Sequence, residues 1–116
     1  KNYVNQEIEI ELEFEINSKI SFEDKTSIVS IKADIFNPEN KQGIEYPFHL
    51  VVIIEGIFSS IEDPDITEED FNKFSMYNAP AAMFPFLRSC IADITKASNF
   101  PPIILPLINI TNLIDK

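Results

Sequence analysis

Residues 7–16 read EIEIELEFEI, ten positions at which glutamate and a large apolar side chain alternate without interruption. Successive side chains of a β-strand point to opposite faces, so a period of two residues predicts a strand. One face would pack on a core. The other carries a row of five glutamates, the acidic row, which comprises Glu7, Glu9, Glu11, Glu13 and Glu15. The structural interpretation of this row is a solvated sheet face. The functional interpretation is a docking face for a basic partner.

Two more strands are expected downstream. Residues 26–36 alternate again, and the turn-forming residues 37–40, NPEN, follow them. A third strand is predicted from Gly43 or Ile44 to Ser60. Its middle, HLVVIIEGIFS, is almost continuously apolar, which predicts a strand covered on both faces. Gly56 inside this run indicates a bulge or a close approach of another group to the backbone.

Helices are predicted after the strands. Asp63-Pro64-Asp65 breaks the chain, and Thr67 then supplies a capping oxygen for a short helix with an acidic first turn. A longer helix is predicted over residues 81–97, with Pro85 in its first turn. Helical spacing groups six of its side chains on one apolar side: Met83, Phe86, Leu87, Cys90, Ile91 and Ile94.

Strands followed by helices predict an α+β fold with an antiparallel sheet, and 116 residues correspond to one domain. In this chain we expect three strands, one short and one long helix, and a proline-rich connector. Three strands make a narrow sheet whose long edges need cover. A further N-terminal strand, an oligomer that joins sheets, or both would provide it. Because the sequence starts at Lys1 and not at Met, we expect a trimmed or processed chain.

Composition narrows the classes of partner. The net charge of −10 disfavours nucleic acid and anionic membrane surfaces, and it favours basic partners. The single cysteine excludes an internal disulfide and fits a reducing compartment, so we expect a cytoplasmic protein. No apolar run approaches the ~20 residues of a spanning helix, so we expect no membrane insertion.

The residue inventory offers no catalytic constellation. His49 is the only histidine, and we interpret it as structural. Cys90 lies on the predicted apolar helix face, where packing is a simpler role than nucleophilic chemistry. The acidic string IEDPDITEED lacks the glycine and the spacing of a calcium loop, and an acidic helix start explains it. We therefore expect no enzyme activity, no cofactor and no metal site.

The connector, residues 99–109, reads NFPPIILPLIN. It is too apolar for a solvated loop, and its three prolines exclude a helix interior or a central strand. Two interpretations stay open. The connector either covers the core, or it forms one wall of an apolar groove that accepts extended chains.

Three stretches resemble the SecB-type export chaperones: FPFLRS at residues 84–89, preceded by Asn78-Ala79-Pro80; NFPPIILPLIN; and GIFS at residues 56–59. The resemblance covers residues 6–113. It implies a single SecB-like domain, 1–116, with a four-stranded antiparallel sheet and two helices. It also implies a homotetramer, a dimer of dimers, that holds unfolded or nascent polypeptides without ATP. The three predicted strands would match the last three of the family, so the first family strand would precede Lys1.

The resemblance also implies sites. Six apolar residues would line or flank the client groove: Phe58, Phe84, Phe100, Ile103, Leu105 and Leu107. Phe86, Leu87, Ile91 and Ile94 would serve packing or subunit contacts. The acidic row would dock a partner, which in many members is the SecA motor. Because the given sequence ends at Lys116, we expect this chain to lack the family's SecA-binding tail, and the alternative is a chaperone dedicated to one partner, for example an antitoxin.

Overall fold

The computed structural model describes residues 2–5, 8–40, 46–60, 62–63 and 65–105, with side chains described from Ile10 onward. Three long strands, β2 (Ile8–Ser21), β3 (Thr26–Ile35) and β4 (Leu50–Ser59), form the sheet with a short strand β1 (Asn2–Asn5). The strand order is β1-β2-β3-β4, and every neighbouring pair is antiparallel.

The predicted α+β fold and its three long antiparallel strands are confirmed. A fourth strand was expected only before Lys1, but β1 lies inside the chain at Asn2–Asn5 and pairs with β2. The segment NYVN is too short to show a period, so the sequence pattern did not locate this strand. The predicted ends were less accurate. β2 continues five residues beyond Ile16, since its polar end Asn17–Ser21 still pairs with β3. β4 begins only at Leu50, and the predicted strand residues 43–45 lie outside the described residues.

The alternation seen in the sequence sorts the sheet into two faces. Leu12, Ile31 and Val52 lie on the inner face and are buried in one core. The rest of this core comes from the same face and from the helical layer: Ile10, Val29, Ala33, Ile35, Phe36, Ala79, Met83, Phe84, Leu87, Ile91, Ile103 and Leu105. The period of two is therefore a core-forming pattern, as the sequence predicts.

The helical layer is one run with an irregular middle. Helix α1 (Glu68–Lys73) is capped by Thr67, whose side chain accepts a hydrogen bond from the Asp70 N–H at 3.1 Å, as predicted. Residues 74–78 form a π-helical turn, and helix α2 (Ala79–Ala97) follows directly. Because α2 begins before residue 81, Pro85 lies inside the helix and not in its first turn.

The π turn frees one carbonyl group, which the sheet then satisfies. The Ala79 N–H donates to the carbonyl of Phe74, five residues back, so the Ser75 carbonyl loses its usual α-helical donor. The Ser18 hydroxyl donates to that carbonyl at 3.2 Å. The Ser75 hydroxyl donates to Ser27 Oγ at 2.8 Å. These bonds fix the α1–α2 junction to β2 and β3.

Helix α2 lies along β4 and runs in the opposite direction. Near its start, the Met83 sulfur lies 3.1 Å from the position that a Cβ on Gly56 would occupy. Near its end, Ile94 and Thr95 face Leu50 across a cleft. The predicted close approach at Gly56 is therefore present, and a hydrogen in place of a side chain makes it possible.

The connector turns back along α2. Asn99 adopts a left-handed φ of 64°, the Asn99 N–H donates to the Lys96 carbonyl, and the Phe100 N–H donates to the Thr95 carbonyl. These are the bonds of a Schellman motif, which ends the helix and reverses the chain. Ile103 and Leu105 are then buried in the core, whereas Ile104 between them is exposed.

The outer face of β4 does not match its prediction. Val51, Ile53 and Ile57 are 42%, 62% and 71% exposed, so no described residue covers this face. A continuous apolar run was expected to mean cover on both sides, but this chain by itself covers only the inner one. None of the helices in the described part of the chain has the length and hydropathy of a membrane span.

Candidate functional site

An open cleft of about 410 Å³ lies between the segment that precedes β4 and the C-terminal end of α2. Its position follows from the fold, because the start of β4, the end of α2 and the start of the connector meet at this end of the sheet. The floor and walls are largely apolar. The lining residues are Pro47, Phe48, His49, Leu50, Ile94, Thr95, Ser98 and Phe100.

Aromatic rings form one wall of this cleft. Phe48 and Phe100 meet edge to face with their ring centroids 4.9 Å apart. Phe48 also packs edge-on against Phe36 at 5.3 Å, and Phe36 stacks on Tyr46 at 5.1 Å. Phe36 is buried and holds a left-handed φ of 60°, an uncommon value for a bulky residue. Packing among these rings helps to hold the wall in place before any ligand arrives, which lowers the ordering cost of binding.

The side chains of His49, Asp34 and Asn37 form a hydrogen-bonded group, the latch, at the rim of the cleft. His49 Nε2 lies 2.7 Å from Asp34 Oδ1, and the Asn37 amide donates to Asp34 Oδ2 at 2.8 Å. Burial raises the pKa of Asp34. The two hydrogen bonds and the electrostatic effect of His49 and Lys32 lower the pKa by more than burial raises it, so it lies below its ordinary value. His49 precedes β4 and joins the Pro47–Leu50 segment to the end of β3.

A second aromatic cluster lies at the far end of β4. The Phe58 ring covers Gly56 and meets Phe74 edge to face, with centroids 5.5 Å apart. Phe58 is eight residues from Leu50, which is about 26 Å along a strand at roughly 3.3 Å per residue. This cluster and the cleft are separate surfaces.

The structure distributes the six predicted client-binding residues over several places. Phe100 lines the cleft, and half-buried Phe58 lies at the far end of β4. Phe84, Ile103 and Leu105 are buried in the core, where Phe84 meets the ring of Phe14 at 5.6 Å. Leu107 lies outside the described residues. The three buried residues therefore pack beneath the surface and are not exposed on it. Client binding by all six residues stays a prediction.

The acidic row is described from Glu11 onward, since the side chains of Glu7 and Glu9 lie outside the described part. Glu13 and Glu15 are exposed on the outer face of the sheet. Lys32, directly across the strand pair from Glu15, lies 4.0 Å from its carboxylate. Glu11 is half-buried, and its Oε1 has no hydrogen-bond partner among the described residues. The face is therefore acidic but carries basic residues as well.

Sequence reasoning did not assign three of the lining residues to the cleft, namely Phe48, Ile94 and the buried Thr95. Phe48 sits in a short YPFH segment without a period, and Ile94 was assigned to packing or subunit contacts. Thr95 gives no local signal, because its partners are on the connector. An aromatic residue next to proline and just before an apolar strand, as in YPF, is the only hint that the sequence offers.

The described residues hold no group of three or more His, Cys, Asp or Glu side chains placed to bind a metal ion. Cys90 is half-buried on α2 and packs against the core. The His49–Asp34 pair belongs to the rim of the cleft, and Cys90 is not among the residues that line it. Ser98 does line the cleft, and its hydroxyl donates to the Ile94 carbonyl at 3.0 Å. The chemistry of the site is apolar contact, and the polar groups hold its walls in place.

The fold and the cleft define a class of protein. Its members have an antiparallel sheet that a long helix and a proline-rich connector cover on one face, with an apolar cleft between the end of the helix and the start of the last strand. A family model described as preprotein translocase subunit SecB matches residues 2–116. The chain belongs to the SecB family.

Several relatives carry the family name. The protein-export protein SecB of Anaplasma phagocytophilum is 36% identical over 61 residues, 53% of this chain and 39% of that protein. The SecB of Wolbachia pipientis is 28% identical over 102 residues, 88% of this chain and 60% of that protein. An uncharacterised protein of Methanocaldococcus jannaschii is 31% identical over 110 residues, 95% of this chain and 64% of that protein. The chain thus spans less than two thirds of the length of each of these relatives.

The fold is shared with a solved structure. That structure is the SecB-like chaperone of Mycobacterium tuberculosis in complex with a ChAD peptide from an antitoxin. The TM-score is 0.58 at 20% sequence identity, over 85% of this chain and 71% of the other. At this identity the likeness establishes the fold of the sheet and helices.

Proposed function

We propose that this chain is the core of an ATP-independent chaperone, a holdase that binds unfolded or nascent polypeptides in the apolar cleft. The observation that carries the proposal is the open aromatic wall of Phe48 and Phe100 opposite Ile94, in a chain of the SecB family. An extended polypeptide presents apolar side chains at regular intervals, and a rigid apolar cleft binds them with little ordering cost of its own. The cytoplasm is the proposed place of action.

Replacement of Ile94 by Asp tests the cleft. Ile94 is 38% exposed, so a carboxylate there stays hydrated in the free protein but would be desolvated under a bound client. We expect Ile94→Asp to weaken binding of an unfolded client about tenfold or more and to reduce its suppression of client aggregation. Light scattering of a reduced, aggregating model client and titration of a labelled, permanently unfolded one measure both effects.

Met76→Asp is the matched control. Met76 is 40% exposed, slightly more than Ile94, but it lies on the π turn and does not line the cleft. We expect this variant to bind the client within about twofold of the unmodified protein. Equal losses in both variants would point to a general effect of charge, and an unmodified protein without holdase activity would overturn the proposal.

A chaperone dedicated to one partner is the second candidate. It is favoured by the structural neighbour, which is complexed with an antitoxin peptide. A single client would be retained from a lysate of the source organism at high affinity, while general suppression of aggregation would be weak. Quantitative affinity capture with the Ile94→Asp variant as background distinguishes one dominant partner from many.

The proposal also concerns the oligomeric state of the protein and its partner in export. We propose a homotetramer, arranged as a dimer of dimers, and docking of a SecA-type motor on the acidic row. The exposed apolar face of β4 and the exposed ring of Phe86 support self-association, since isolated chains rarely leave such surfaces open. Light scattering after size exclusion gives the mass directly, and a stable monomer at micromolar concentration would contradict this part.

A further inference from the structure

Thr95 of α2 accepts both backbone N–H groups of the connector stretch from Phe100 to Ile103. The Thr95 carbonyl accepts the Phe100 N–H at 3.1 Å. The Thr95 hydroxyl oxygen accepts the Ile103 N–H at 2.9 Å and donates its own hydrogen to the Ile91 carbonyl at 2.9 Å. The far end is held separately, because the Arg88 Nε–H donates to the Leu105 carbonyl at 3.0 Å.

The prolines explain why so much depends on Thr95. Between Phe100 and Ile103 the chain is FPPI, and neither Pro101 nor Pro102 has an N–H group. The two N–H groups that remain in this stretch both end on Thr95. No other backbone donor within these four residues could fix the connector against the helix.

The contact is also fully enclosed. Thr95 is 2% exposed and Ile103 is 0% exposed, so water cannot replace the hydroxyl as the partner of the Ile103 N–H. A buried N–H without an acceptor is costly, and the chain would move to satisfy it. Valine has the shape of threonine but offers no acceptor, so it would release the connector at this point.

Release of the connector at Ile103 would loosen the cleft, because Phe100 would then keep only its main-chain bond to the Thr95 carbonyl. Phe100 starts the connector, and its ring meets Phe48 edge to face to form the aromatic wall. We propose that Thr95 is a positioning residue for client binding: it sets the place of the Phe100 ring and touches no client itself, because it is buried. This inference rests on the proposed function of the cleft and names the residue that determines its shape.

The test compares three threonine variants. Thr95→Val removes the acceptor, and Thr95→Ser keeps it. Thr67→Val removes a hydroxyl that accepts a backbone N–H at 3.1 Å, but at the start of α1, away from the cleft. Thr95→Ala is the second route if the valine variant does not fold. The readouts are hydrogen exchange of the Ile103 amide and the dissociation constant for reduced, carboxymethylated α-lactalbumin, a permanently unfolded probe, at a temperature where every variant is folded.

We expect Thr95→Val to lose protection of the Ile103 amide and to bind the probe about tenfold more weakly, the size of one lost hydrogen bond that orders a binding surface. Thr95→Ser and Thr67→Val are expected to bind within about twofold of the unmodified protein. A protected Ile103 amide in Thr95→Val would overturn the inference, and so would loss of protection with unchanged binding. If the unmodified protein does not bind the probe, the proposed function fails instead, and the exchange data still decide whether Thr95 holds the connector.

Discussion

At the scale of single residues, polar groups hold an apolar site in place. Asp34 accepts hydrogen bonds from His49 and Asn37, and Thr95 accepts one from the Ile103 N–H. Each of these bonds joins an irregular segment to a strand or a helix. The walls of the cleft therefore depend on hydrogen bonds that no apolar pattern in the sequence could reveal.

The stability of the fold should depend on pH through the Asp34 carboxylate. Its pKa is lowered in the folded chain, so the carboxylate stabilises the fold above the unfolded pKa of about 3.9. That contribution disappears as the pH falls through the lower, folded pKa. We expect Asp34→Asn to lower the urea midpoint at pH 7 and to change it much less at pH 2.5. Glu23→Gln, an exposed carboxylate in the β2–β3 turn, is the control, and an equal pH dependence in both variants would refute the role of the latch.

At the scale of elements, Gly56 decides how closely α2 and the Phe58 ring approach β4. A Cβ at this position would lie 2.9 Å from Phe58 Cε2 and 3.1 Å from the Met83 sulfur. Such contacts force a shift, and overpacking of this kind costs about 1–3 kcal/mol. We therefore expect Gly56→Ala to lower the free energy of unfolding by this amount.

A double-mutant cycle tests the cause of that loss. In a Phe58→Leu background the ring that the new methyl group meets is gone, so Gly56→Ala should cost less than in the unmodified protein. Urea denaturation of the four proteins gives the coupling. Additive losses would show that the Phe58 ring is not the obstacle.

The elements also show what a sequence can predict. EIEIELEFEI predicts β2 because its signal is local and repeats every two residues. The orientation of α2 depends on its partner and was partly wrong. Phe86 was placed on the apolar side, but Phe86 is 73% exposed and Phe84 is buried. These two residues are about 200° apart on a helix, so only one can face the sheet, and packing against β4 and Phe14 decides which.

The candidate site was predictable in part for the same reason. Phe100 was predicted from an apolar, proline-rich segment whose composition is itself the signal, and it lines the cleft. Phe48 comes from a segment more than fifty residues earlier, and it reaches Phe100 only because β4 and α2 run side by side. Contacts between distant segments leave no trace in a local pattern.

At the scale of the whole molecule, the surfaces are divided between the two faces of the sheet. The helix and connector cover the inner face and form the cleft at one end of β4, while Glu13 and Glu15 lie on the outer face with the exposed apolar side chains of β4. A client in the cleft and a partner on the outer face would therefore not compete for space. A holdase that only binds clients needs the cleft alone. It needs the outer face as well only if it also delivers its clients to a partner.

The isoleucine δ1 methyl groups provide the most direct test of the central claim, that unfolded polypeptides bind in the cleft. Ile94 lines the cleft, whereas Ile57 is more exposed but lies at the far end of β4 on its outer face. In methyl NMR spectra recorded during titration with reduced, carboxymethylated α-lactalbumin, we expect the Ile94 signal to shift or broaden while the Ile57 signal does not. A response of Ile57 without one of Ile94 would contradict the account, because the client would then bind the exposed sheet face and not the cleft.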